Sequence, residues 1–76
     1  MTAPVPFALT VLGEQRSVFV VFGAEATDKP PTPAIQHGDR WLPVLSVQDL
    51  YGEERRDDLD AAALRELQAQ LAGAHL

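Results

Sequence analysis

The side chains best suited to chemistry in this chain are few and poorly placed for it. His37 and Asp39 form a local His–carboxylate pair, but Gly38 between them marks a solvated turn, and no nucleophile adjoins. Ser17 falls in the middle of a strand pattern and Ser46 reads as a helix cap, so neither reads as an activated nucleophile. Glu53, Glu54, Asp57 and Asp58 would attract a divalent cation, yet they lack the alternating spacing and central glycine of a calcium loop. The five glycines are scattered and form no phosphate cradle. Cysteine is absent, which removes disulfides and thiolate metal sites. The expectation is a non-enzymatic protein with no catalytic residue, no cofactor and no metal.

Size and charge narrow the partners. Seventy-six residues make one small domain, 1–76, near the limit at which a single core suffices. With no disulfide or metal, a partner or a second copy is the remaining source of extra stability, the alternative being a well-packed monomer, since many domains of this length fold alone. The formal net charge is −5. Between Asp49 and Asp60 lie six acids and two bases, so that segment carries −4 of it. Arg55-Arg56 is the sole basic pair there and no larger cluster exists, which disfavours direct nucleic-acid binding. No stretch approaches the ~20 apolar residues of a membrane span. Met1-Thr2-Ala3-Pro4 lacks the basic start of a signal peptide, and a cytoplasmic protein with no membrane contact is expected.

The elements that must position these residues follow from periodicity. Pro4 to Leu12 alternates as a strand, and Arg16 to Phe22 returns as a second. A Gly13-Glu14 turn would pair Leu9 with Val18 and Phe7 with Val20. One face then carries Phe7, Leu9, Val11, Val18, Val20 and Phe22. The other carries Ala8, Thr10, Leu12, Phe19 and Val21. Gly23 to Pro33, with Pro30, Pro31 and Pro33, reads as a stiff connector. Ala34 to Gln36 and Arg40 to Leu45 make a second hairpin around His37-Gly38-Asp39, with Pro43 at an edge or bulge and Trp41 packing at the edge. Ser46-Val47-Gln48-Asp49 has the spacing of a capping box and predicts a helical turn over Val47 to Tyr51, ended by Gly52. Asp57 or Asp58 would cap a long helix whose Leu59, Ala63, Leu64, Leu67, Leu71 and Ala74 share one arc, with Gly73 as its stop and His75 beyond. The fold class expected is α+β: a three- to four-stranded antiparallel sheet, a short helical turn and one C-terminal helix on one face.

Gly38-Asp39-Arg40-Trp41-Leu42-Pro43-Val44-Leu45-Ser46, followed by Val47-Gln48-Asp49-Leu50, resembles the signature of SseB-type N-terminal domains. That signature has a glycine-containing turn, then Leu-Pro-Val-Phe-Thr-Ser, then a short helix. The resemblance covers about thirteen residues and departs at Leu45-Ser46, where the family has Phe-Thr; the chain is also shorter than such domains. It implies an α+β fold and a regulatory or secretion-linked role, and it carries over no catalytic residue.

One helix covers one face of the sheet and leaves the other, with Phe19, Val21 and Leu12, for a partner. Glu53, Glu54, Asp57 and Asp58 would add an acidic surface aimed at a basic protein. The function expected is a protein-binding module that regulates or inhibits a larger partner. The alternatives are a self-associating structural or assembly component, with a homodimer closing the bare face, and an acidic, nucleic-acid-mimicking inhibitor from a mobile element.

Overall fold

The computed structural model describes residues 3–73. Four strands, β1 (Val5–Val11), β2 (Glu14–Phe22), β3 (Ala34–His37) and β4 (Arg40–Asp49), form one antiparallel sheet in the order β1-β2-β4-β3. A 3-10 turn (Arg56–Asp58) and the helix α1 (Ala61–Gly73) follow. This is the α+β arrangement that the alternating and helical patterns predict. The readings of Ala74 and His75, and of a stop after Gly73, lie outside the described residues.

The first hairpin keeps the predicted faces but not the predicted register. Phe7 pairs with Val18, Leu9 with Arg16 and Val11 with Glu14. The turn is Leu12-Gly13, with φ of 52° and 82°. Two positive φ values make it a type I′ turn, whose twist suits a hairpin. The pairing therefore moves by two residues, and a two-residue shift leaves every side chain on its original face. Leu9, Val11, Val18 and Val20 are buried, and Phe7 meets Phe22 edge-on at 6.2 Å.

The largest difference from the sequence reading is β4. It does not stop at Leu45, and no helical turn forms over Val47–Tyr51. Val44 and Val47 both reach the core, and the strand pairs with β2 through Val18 to Val21, which outweighs a local cap. Leu45 is the extra residue of a bulge: Val21 pairs with Ser46 and Phe22 with Val44. Pro43 lies in an interior strand, two residues from that bulge. Its carbonyl accepts from Gly23 N at 2.8 Å, so its missing donor faces a point where β2 has already ended. Trp41 is half-buried, bridges Ala26 through the backbone and lies under Lys29, whose Nζ is 5.4 Å from the ring centroid.

The helix starts later than predicted. Leu59 is extended, and Asp60 caps α1 by accepting from Ala63 N at 2.8 Å. Leu59 and Leu64 occupy the flanking positions of a hydrophobic staple, and both pack on the core. Ala63 and Leu67 are buried against the Val-rich concave face. The sheet curls around α1, so the helix meets both edge strands. Glu66 Oε1 accepts from Thr10 N at 2.8 Å, and Gln70 Nε2 donates to Ala8 O at 2.6 Å. On the other edge, Gln68 Oε1 accepts from Gln36 N at 3.1 Å. These side chains occupy backbone groups that an open edge would offer to another strand.

Candidate docking surface

The convex face of the sheet is left without a second layer. Phe19 is 40% exposed and Leu45 is 48% exposed, and Val21 between them is half-buried. Phe19 stands opposite Pro6 on β1 and Gln48 on β4. Leu45 reaches over Gly23: a Cβ there would lie 3.2 Å from the Leu45 side chain and 3.4 Å from Pro43. The absence of a side chain at Gly23 lets Leu45 and Pro43 extend the patch beyond Val21. Leu45 faces outward by alternation from Leu42 and Val44; the bulge shifts the phase after it, so that Ser46 stays on the same side and Val47 returns to the core.

Leu12 does not join this patch. It sits in the β1–β2 turn, five strand residues and more from Phe19, roughly 17 Å at strand rise. It is nonetheless two-thirds exposed and held at positive φ, an uncommon state for leucine that asparagine or glycine adopts more cheaply.

The predicted acidic surface is built differently. Residues 53–55 fold back along β4 as a short extension of the sheet: Asp49 N donates to Glu53 O at 3.0 Å and Arg55 N to Val47 O at 2.6 Å. Asp49 is the centre of this fold-back. It is 6% exposed and accepts from Tyr51 N (2.8 Å), Glu53 N (3.0 Å) and Arg55 Nε (3.2 Å). Burial pushes its carboxyl up, but these two N–H groups and the Arg55 guanidinium outweigh burial and hold it below the ordinary value. Glu54 bridges Ser46 Oγ (2.5 Å), Val47 N (2.7 Å) and Arg56 N (3.2 Å). Burial pushes it up too, and the Ser46 hydroxyl, those N–H groups and the Arg56 charge bring it below the usual glutamate value.

Glu53 and Asp58 both reach Arg55, at 2.8 and 3.4 Å, while Asp57 is almost wholly exposed and 3.9 Å from Arg56. Of the four acids, Glu54 and Asp58 are spent largely on the fold-back. Glu53 and Asp57 keep carboxylates open to solvent.

A second apolar feature lies at the end of the sheet that holds the β1–β2 turn. Leu50 and Tyr51 form the tip of the turn after β4 and are 69% and 91% exposed. They border a shallow cleft of about 210 Å³ shared with Gln15, Arg16, Ser17 and Asp49. Nothing in the periodicity singles out Leu50 or Tyr51; the signal is the Asp49-x-x-Gly52 spacing, whose turn chemistry is masked by the apparent capping box.

Among the described residues, no group of three His, Cys, Asp or Glu side chains is placed to hold a metal ion, and no helix is long and apolar enough to cross a membrane. Comparisons of the chain with protein-family models, curated proteins and solved structures return no match.

Proposed function

We propose that this chain is a non-enzymatic protein-docking module that regulates or inhibits a larger partner through its convex sheet face. The observation that carries this reading is the solvent-facing Phe19, Val21 and Leu45 on a sheet whose other face is closed by its own helix. Contiguous exposed apolar surface on a small domain marks an interaction site more often than it marks idle surface. Docking by strand addition is disfavoured, because Glu66, Gln70 and Gln68 already occupy backbone groups of both edges. A nucleic-acid decoy is also disfavoured, because Glu54 and Asp58 serve internal contacts.

Size exclusion coupled to light scattering, run on the parent and on Phe19→Asp, tests the reading alongside partner capture. A monomeric parent whose capture of a larger protein is lost in Phe19→Asp fits it. A dimer that Phe19→Asp dissolves assigns the face to a second copy instead. Capture and oligomeric state both unchanged by Phe19→Asp would remove the convex face from function.

A further inference from the structure

We infer that the open end of β2, at Gln15 to Ser17, takes up an extended segment of another protein by strand addition, with an aspartate or glutamate of that segment opposite Arg16. This contact adds to convex-face docking and does not depend on it.

The two outer edges of the sheet are closed by helix side chains, but a third edge lies inside it. β2 begins at Glu14, whereas its pairing with β4 begins only at Val18, opposite Asp49. After Asp49 the chain turns through Leu50 and Tyr51. It returns along the far side of β4, where Asp49 N donates to Glu53 O and Arg55 N to Val47 O. The line of β4 beside Glu14 to Ser17 is therefore left open. The hydrogen bonds of β1 fix which way the backbone groups of β2 point. Thr10 N donates to Glu66 and Ala8 O accepts from Gln70, so both residues turn their backbone groups away from β2. Antiparallel partners alternate together, so Gln15 and Ser17, which stand opposite them, turn theirs away from β1. The N–H of Ser17 and the N–H and C=O of Gln15 therefore face the shallow cleft beside the Leu50-Tyr51 turn. Both residues are exposed, and among the described residues no strand meets these groups. An extended backbone is the ligand that matches such a row.

Arg16 selects the side chain that this backbone carries. Its Nη2 meets the exposed Glu14 at 3.1 Å, and its Nε is covered and makes no hydrogen bond. An added strand sets one residue directly opposite Arg16, in the non-hydrogen-bonded kind of pair that brings side chains closest. A carboxylate there gives the guanidinium an acceptor that it lacks. Asp49 also borders the cleft, but its oxygens are occupied by Tyr51 N, Glu53 N and Arg55.

Register argues against a second copy. Antiparallel self-pairing centred on Arg16 or on Glu14 sets like charges against each other. Centred on Gln15, it carries the copy's Leu12-Gly13 turn to the level of Ser17, where Leu50 leaves the sheet. Both ends of the described chain lie toward the other end of the sheet: Val5 pairs with Val20, and α1 passes Thr10 before it reaches Ala8.

Nuclear magnetic resonance on the whole chain tests this with two end-capped peptides, Thr-Val-Glu-Val-Thr and its Gln counterpart. In the free protein the amides of Gln15 and Ser17 should exchange with solvent several-fold faster than those of Arg16 and Val18. The Glu peptide should slow that exchange and shift the resonances of Gln15, Arg16 and Ser17. The Gln peptide should bind several-fold more weakly, and Arg16→Gln should remove the difference. A Glu peptide methylated on its backbone nitrogens should leave the resonances unmoved, and Phe19→Asp should leave peptide binding unchanged. Unmoved resonances with the Glu peptide, or equal binding of its methylated form, would overturn strand addition. Equal binding of the Glu and Gln peptides to the parent would overturn the part given to Arg16. Protection of Gln15 and Ser17 that rises with the concentration of the free protein would assign the open edge to a second copy instead. Shifts confined to Phe19, Val21 and Leu45 would overturn the inference and leave convex-face docking intact.

Discussion

The two faces of this sheet are made by the same strands and have opposite fates. Val18 and Val20 point into the concavity and are sealed by Leu67 and Ala63 of the helix. Phe19 and Val21, their neighbours in the chain, point outward and meet no second layer. Hydrophobic side chains on both faces therefore do not mean that both faces serve folding. The concave face provides the core of a small domain, and the convex face leaves Phe19 and Leu45 partly exposed.

The comparison breaks most sharply at the concave face. Leu67 is fully buried at the centre of the helix–sheet contact. Leu67→Ala should cost about 2–5 kcal/mol in equilibrium urea unfolding, enough to unfold much of a marginal domain. A loss below ~1 kcal/mol would mean that the helix is not the lid of the core.

Acid should act next, through the fold-back beside the convex face. Asp49 and Glu54 both titrate below their ordinary values when folded. The unfolded chain therefore binds more protons than the folded one in acid, and stability rises with pH there. Their contribution is present above about pH 4.5, the ordinary glutamate value. It is lost as the pH falls through their lower folded values. Urea midpoints between pH 2.5 and 7 should drop on the acid side, and the Asp49→Asn, Glu54→Gln double variant should flatten that slope. An unchanged slope in the double variant would put the acid sensitivity elsewhere.

A smaller effect separates the sheet from its tip. Leu12→Asn places the preferred residue in the left-handed turn position and should raise stability by about 1 kcal/mol, read from the same unfolding curves. Destabilisation would show that Leu12 makes contacts that repay its strain.

The concave face is the part that the sequence makes legible. Period-two alternation in β1 and β2 and the leucine spacing of α1 leave direct traces, because burial there repeats at the period of the element. The pairing of the first hairpin is less legible: a leucine at positive φ is uncommon, so the Leu12-Gly13 turn is hidden behind the more ordinary Gly13-Glu14 choice. The fold-back over residues 49–58 is nearly invisible. Asp49, Glu54 and Arg55 act through hydrogen bonds two to eight residues apart that have no hydrophobic period. The same Ser46-to-Asp49 spacing that reads as a helix cap is absorbed into a strand. For the candidate surface, Phe19, Val21 and Leu45 follow from alternation, whereas Leu50-Tyr51 needs the turn held by Asp49.

The central claim is that one strand serves the core on one side and a partner on the other, and Val20 and Phe19 test it most directly. Urea unfolding of Val20→Asp and Phe19→Asp compares adjacent residues under one substitution. Val20→Asp buries an unpaired carboxylate at a fully buried site and should leave no folded baseline. Phe19→Asp should remain within about 1 kcal/mol of the parent, the span of strand preference alone. A Phe19→Asp chain that unfolds as completely as Val20→Asp would show that the convex face belongs to the core and is not free for docking.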